Sequence, residues 1–209
     1  KWAPGDVKYR DLNGDGKINI GENKLGSMGD MTVIGDTTPR YQFTFNGAIS
    51  WRGLTLSLML QGVGKRDWHP GRSIYFWGWG SYAQVTVFKD HFDYWTPERP
   101  NAYYPRPYIH SDGAVAPLQA KNKTTTDRYL QNAAYCRLKN LTLSYELPTQ
   151  WTKGTKVQVF FSGENLFTIT KLKKMFDPEA IFTRSSYSSE GGKNYPMNRV
   201  LSCGLIVNL

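Results

Sequence analysis

Residues 41–51 alternate. Tyr41, Phe43, Phe45, Ile49 and Trp51 share one face, and Gln42, Thr44, Asn46 and Ser50 share the other. A period of two over a run of this length predicts a β-strand with one apolar face. Arg52 and Gly53 then fit a two-residue hairpin turn, in which Gly supplies positive φ at no steric cost. A second strand is predicted over residues 54–62, with Leu54, Leu56, Leu58 and Leu60 opposite Thr55, Ser57 and Gln61. A third, over 135–147, sets Leu141, Leu143, Tyr145 and Leu147 against Asn140, Thr142, Ser144 and Glu146. Leu138 is out of phase with that set, which predicts a bulge near Lys139. A fourth, over 155–166, sets Val157, Val159, Phe161 and Gly163 against Lys156, Gln158 and Ser162, with Phe160 the odd member. The last, over 197–209, carries Leu201, Cys203, Leu205, Val207 and Leu209 on one face and Ser202, Gly204 and Asn208 on the other, Ile206 being the exception.

The connections between these strands are alternately short and long. The Arg52–Gly53 turn and the PTQWTKG turn at 148–154 fall on one side; the connections 63–134 and 167–196 fall on the other. Loops of such length are uncommon in compact domains. Half-apolar strands joined by short turns on one side and long loops on the other are the pattern of an outer-membrane β-barrel, with the short turns periplasmic and the long loops extracellular. The predicted fold is therefore all-β: about five strands of a large antiparallel transmembrane barrel. Residues 1–39 are expected to form an extracellular loop, and 40–209 the C-terminal strands. An odd number of strands cannot complete a bacterial barrel, so the two end strands are expected to pair with strands outside this chain. The chain opens at Lys1 with neither Met nor signal peptide, and reads as the interior and C-terminal end of something longer.

Composition sharpens this picture. Hydrophobic residues make up 40% of 209 and mean hydropathy is −0.51, with no apolar run long enough for a membrane helix. Seven Trp and 13 Tyr are many for an ordinary soluble domain. Such residues collect at membrane interfaces and sugar sites, where a side chain is apolar at one end and wet at the other. The net charge of +9 fits a solvated basic surface, or attraction to anionic lipid heads or an acidic ligand. Nucleic acid is not an expected partner, since the Lys and Arg are scattered and accompany no recognition motif. Cys136 and Cys203 lie on strands separated by a third, too far apart for a disulfide, and read as small wall residues.

One segment carries a metal pattern. DLNGDGKINIGE, residues 11–22, matches D-x-[DN]-x-[DN]-G-x5-E throughout. Asp11, Asn13 and Asp15 would give side-chain oxygens, Lys17 its carbonyl, Asn19 a contact through water and Glu22 a bidentate carboxylate, while Gly16 allows the sharp turn. The expected ion is Ca²⁺. Pro4 and Gly5 before the loop and Gly26 and Gly29 after it exclude flanking amphipathic helices, so the loop is expected to act as a structural clip.

Catalytic patterns are absent. His69, His91 and His110 do not stand at metal-ligand spacing, and no nucleophile elbow or phosphate loop occurs. Asp90, Asp93, Glu98 and Asp112 are better read as solvated charge than as a glycosidase pair. The chain is not expected to be an enzyme. Trp68, Trp77, Trp79, Tyr103 and Tyr104 are candidates to stack on a sugar or peptide substrate; packing of the long loop on itself or on a partner is the competing role.

Four stretches, YWTPERPNAYYPR (94–106), DRYLQNAAYCRLKNLTLSYELP (127–148), VFFSGENLFTITKLKKMFDPE (159–179) and YPMNRVLSCGLIVNL (195–209), resemble the C-terminal region of the SusC/RagA family of TonB-dependent outer-membrane transporters. So does PGDVKYRDLNGDGKIN (4–19). The resemblance runs nearly end to end. It implies a 22-stranded barrel with an N-terminal plug, both mostly outside this chain. It implies nutrient uptake, the import of oligosaccharide or peptide, driven through TonB by a region not in this chain, with a SusD-type surface lipoprotein as lid and outer-membrane lipid around the wall. Members usually end in an aromatic residue, and Leu209 departs from that. The alternative is a secreted, calcium-binding β-sandwich that binds carbohydrate; it would bury its apolar face and place long connections at both ends.

Overall fold

A computed structural model of the chain describes residues 2–78, 87–108, 120–181 and 194–208. The described residues form two compact units. One is built from Asp36–Trp68, Gln131–Ile181 and Asn194–Leu209; the other from Lys1–Gly35 and His69–Leu130.

The first of these is a single antiparallel sheet of five long strands: β1 (Arg40–Trp51), β2 (Leu54–Lys65), β5 (Tyr135–Glu146), β6 (Lys156–Thr170) and β7 (Val200–Asn208), in that spatial order. Between β2 and β5 the chain adds a small ladder, β3 (Asp67–Trp68) paired with β4 (Gln131–Asn132). The β1–β2 turn has positive φ at both central residues, 49° at Arg52 and 85° at Gly53, as a primed hairpin turn requires.

Register fixes the faces, because residues directly opposite point the same way. Phe45, Leu60, Leu138 and Phe167 form one cross-strand row; Ile49, Leu56, Leu143, Phe161 and Cys203 another; Trp51, Leu54, Tyr145, Val159 and Leu205 a third. All lie on one face. The opposite face carries Ala48, Ser57, Thr142, Ser162 and Ser202 in one row and Thr44, Gln61, Arg137 and Thr168 in another. The ladder shifts between Leu138 and Asn140, which is the expected bulge at Lys139. The two cysteines are free, on strands that flank β6.

Three boundaries differ from the sequence reading. β2 runs on to Lys65 because Gly62 and Gly64 carry no side chain to display the alternation, yet Gly62 still pairs with Cys136 and Val63 with Tyr135. β6 runs on to Thr170 past Asn165, whose φ of 51° breaks the alternation before the ladder resumes at Phe167. β7 begins at Val200, where its pairing with Glu164 starts. Phe160 lies on the polar face opposite Gly204, where an added Cβ would come 2.7 Å from its ring. The missing side chain opposite thus makes the room that Phe160 occupies.

The second unit is built on aromatic rings. Phe76, Trp77, Tyr104 and Tyr129 are fully buried. Edge-to-face contacts join Trp77 to Tyr129 at 4.8 Å, Tyr103 to Tyr104 at 4.9 Å and Phe76 to Trp77 at 5.0 Å, the arrangement that the ring quadrupole favours. The N-terminal segment is tied to this unit by polar contacts. Asp6 accepts from Tyr108 at 2.7 Å and Asn122 at 2.9 Å and pairs with Lys121, while the Val7 amide donates to Asn122 Oδ1 at 2.9 Å. Burial raises the Asp6 pKa, but Lys121, Tyr108, Asn122 and the Ala3 amide outweigh it and hold the carboxyl below its ordinary value.

Candidate functional site

Three features were candidates for function: the two-faced sheet, the acidic loop and the aromatic cluster.

On the sheet, large apolar side chains stand open on one face. Exposure is 55% at Phe45, 69% at Ile49, 53% at Phe161 and 68% at Leu205. Aromatic residues sit towards both margins of this face: Phe43, Phe45 and Phe167 towards the long connections, Trp51 and Tyr145 at the short turns. No described helix is long and apolar enough to cross a membrane. An apolar band flanked by aromatic girdles, backed by a face of hydroxyls and amides, is how a strand wall divides lipid from water.

In the acidic loop, Asp11 accepts the amides of Gly14 at 2.6 Å and Gly16 at 2.8 Å; Asn13 Oδ1 accepts from Asp15 and Asp15 Oδ1 from Lys17. Asn19 Oδ1 accepts from Gly21. These contacts shape the turn around Asp11, Asn13 and Asp15. Glu22 sits instead 3.5 Å from Lys24. Among the described residues no group of three or more His, Cys, Asp or Glu converges as a metal set. Asp30 closes the loop here, accepting the amides of Leu12 at 2.7 Å and Asn19 at 2.8 Å; those amides, Asn19 first, hold its pKa down. Asp30 was not visible as a loop residue in the sequence, because it lies well outside the twelve-residue pattern and only the fold of 21–29 brings it back. Glu22 could join Asp11, Asn13 and Asp15 only by leaving Lys24.

The aromatic candidates divide. Trp77 and Tyr104 are sealed within the second unit, and Trp68, fully buried in the first, packs edge-on against Phe176 at 4.9 Å. No ring face of these three is open to a substrate in this conformation. Tyr103 is half-buried, its carbonyl accepting from Arg128 and Tyr129. Trp79 lies outside the described residues, as do His110, Asp112 and Leu209. His91 is structural: Nδ1 accepts from Phe88 N and Nε2 meets Tyr75 O at 2.9 Å. Asp93 binds Arg99 at 2.8 Å and the Tyr103 amide.

The second unit also holds a cleft of about 1030 Å³ that the sequence did not announce. Lys8, Arg10, Lys121 and Arg128 line it beside Leu12, Ile18 and Trp95, a mixed basic and apolar surface.

Fold and faces together define the class: a segment of antiparallel wall with one face apolar and exposed and the other polar. Comparison with known proteins makes the class specific. No family model matches the chain. TonB-dependent receptor P3 of Formosa agariphila is 29% identical over 213 residues, covering 97% of the chain and 19% of the receptor. TonB-dependent receptor P26 of the same organism is 29% identical over 217 residues, with the same coverage. Among solved structures, the RagAB peptide importer in its closed-closed state matches with a TM-score of 0.57 at 24% identity, over 83% of this chain and 18% of that one. The RagAB peptide transporter matches at 0.50 with 25% identity, over 78% and 16%. The chain resembles SusC/RagA-type transporters, and its antiparallel sheet has the fold of part of the RagA barrel. It spans about a fifth of the length of the curated relatives it matches.

Proposed function

We propose that the chain is the C-terminal part of the barrel wall of a TonB-dependent outer-membrane transporter that imports peptide or oligosaccharide together with a surface lipoprotein. The observation that carries this is the exposed apolar face running across all five strands, opposite a face made mainly of Ser, Thr, Asn and Gln. A secreted sandwich would bury that apolar face against a second sheet; here Ile49 and Leu205 are two-thirds exposed. Likeness to TonB-dependent receptors over nearly the whole chain, and to RagAB, supports the transporter class, the lipoprotein partner and the outer-membrane location.

Under this reading the apolar rows face lipid and the Ser57, Thr142, Ser162 and Ser202 row faces the lumen. Hydroxyls and amides there offer a neutral, wet lining to a plug or a polar solute. The residues before β1 and the long connections lie outside the cell. In the same reading the acidic loop binds Ca²⁺ through Asp11, Asn13, Asp15, the Lys17 carbonyl, Asn19 by way of water and Glu22, which must leave Lys24 to do so, and the ion braces the loop.

The test is uptake by cells that carry the complete protein. Fluorescent peptides and oligosaccharides should enter only when the complete protein, TonB and the partner lipoprotein are all present. Uptake that persists without TonB, or a complete protein that fractionates away from the outer membrane, would sink the reading.

A further inference from the structure

Residues 172–181, which follow β6, are fastened to the polar face of the sheet by a compact ion lattice. Arg137 is 3% exposed. Its Nη2 donates to Asp177 Oδ1 at 2.7 Å, its Nε to Thr168 Oγ1 at 2.7 Å, and its Nη1 lies 3.3 Å from Glu179 Oε2. Lys139 Nζ meets the same Glu179 oxygen at 3.0 Å. Asp177 also accepts the amides of Glu179 and Met197, so one carboxylate ties this segment both to β5 and to the approach to β7. Phe176 completes the contact by packing on Trp68.

We propose that this segment is a strap latched across the lumen side of the wall, and that Arg137 is the positioning residue that sets the aperture there. The proposal rests on the transporter reading for the word lumen, but the latch itself stands on the contacts above. Arg137 lies near the start of β5, at the end remote from the short turns, so the strap covers the polar face close to the mouth. Buried ion pairs are a poor device for stability, because desolvation consumes most of the attraction; apolar residues would serve as well. What a directional pair does supply is a fixed place. A guanidinium that reaches Thr168 on the neighbouring strand and two acids on the strap specifies where the strap lies. Burial pushes the Asp177 carboxyl up, but Arg137 and the two amides hold it below its ordinary value, which keeps the latch charged at neutral pH. An extracellular loop held this way narrows the passage independently of the wall beneath it.

The experiment uses the complete transporter in outer-membrane vesicles, with Cys136 and Cys203 replaced by Ser. Ala180→Cys reports the latch, since Ala180 is a buried residue of the strap itself. Thr142→Cys, on the polar face further down β5, reports access beneath it. Water-soluble maleimides of increasing size are the probes. Arg137→Gln should raise labelling at position 180 by roughly a hundredfold, as expected when one partner of a buried pair is removed. It should also let larger maleimides reach position 142. Arg137→Lys should give an intermediate rate, because it keeps the charge and loses the fork. Asp177→Asn, which changes the strap and not the wall, should reproduce Arg137→Gln and guards against misfolding of the strand variant. Unchanged labelling at 180 in both variants overturns the latch. Faster labelling at 180 with the same size limit at 142 overturns the aperture. Failure of the transporter reading looks different: Leu58→Cys would then label from water as readily as Thr142→Cys, whatever the strap does.

Discussion

Leu58 and Ser57 are neighbours in sequence, and the proposed function places them in different solvents. Leu58 lies opposite Gly47 and Leu141 on the apolar face; Ser57 lies opposite Ala48 and Thr142 on the polar face. β2 starts at Leu54 just after the short turn. At ~3.4 Å per residue and a tilt of about 45°, each residue climbs ~2.4 Å along the membrane normal. Leu58 therefore sits ~10 Å above the turn, close to the middle of an apolar band about 25 Å tall. Arginine at that depth on the lipid face should cost about 2–4 kcal/mol, a factor of roughly 30 to 1000 in the folding equilibrium. Glycine at position 47 leaves space beside Leu58 but no polar partner, so the guanidinium must reach a margin of the membrane to be hydrated. Ser57→Arg places the same group in water and should stay within about 0.5 kcal/mol. Equilibrium unfolding of the complete barrel in lipid vesicles by urea measures both variants against wild type. Equal costs would refute the lipid–water division of the faces. A larger cost for Ser57→Arg would mean that the division is right and its sign reversed, since a one-residue slip exchanges every side chain.

Gly62→Ala should destabilise the wall by about 1–3 kcal/mol, because a Cβ there would stand 2.4 Å from the Tyr135 carbonyl and 2.5 Å from the Phe43 ring; the same unfolding assay reads it, and a neutral result would place the β2–β5 ladder further apart. Asp6 has a lowered pKa in the fold, so its contribution is complete above the ordinary carboxylate range and fades as pH falls through the lowered value; the protection of the Val7 amide against hydrogen exchange, taken relative to the intrinsic rate at each pH, should fall below about pH 4, and Asp6→Asn should remove that dependence. Adding Ca²⁺ should slow proteolysis of residues 11–30, and Asp15→Ala should abolish the protection; protection unaffected by chelator would remove the ion from the loop.

How much of this was legible depended on whether a residue acts through its period or through its partners. The strands were readable because a wall between lipid and water must repeat every second residue, and Leu54 to Leu60 do so without interruption. The bulge at Lys139 was readable for the same reason, as a break in phase at Leu138. Strand ends were lost where the side chain is missing or the backbone turns. Gly62 and Gly64 hide the end of β2, and Asn165, with its positive φ, hides the end of β6. The aromatic residues in the long connection could be counted but not oriented. Trp77 looks the same in sequence whether it stacks on a sugar or packs edge-on against Tyr129, as does Tyr104 against Tyr103, and the structure commits both to the interior.

The charged residues were the least legible, because their meaning lies in contacts far apart in the chain. Asp30 and Arg137 show this from opposite sides. The calcium pattern fixes Glu22 by spacing, yet spacing says nothing of a carboxylate that returns from outside the pattern to cap Leu12 and Asn19. Arg137 reads in sequence as one more basic residue in a chain of net charge +9, a surplus that invites a reading in terms of solvent or anionic lipid. In the fold it is nearly inaccessible and committed to Asp177 and Glu179, forty residues away. Such a residue contributes nothing to the long-range field that net charge describes, since its charge is neutralised at contact distance. The basic character that a ligand or a lipid head would meet belongs instead to exposed groups such as Lys153 and Lys174, whose field reaches solution and is screened by salt. Buried and exposed charge therefore do different work in this chain: the first fixes where loops lie, and the second is what approaches from solution can feel.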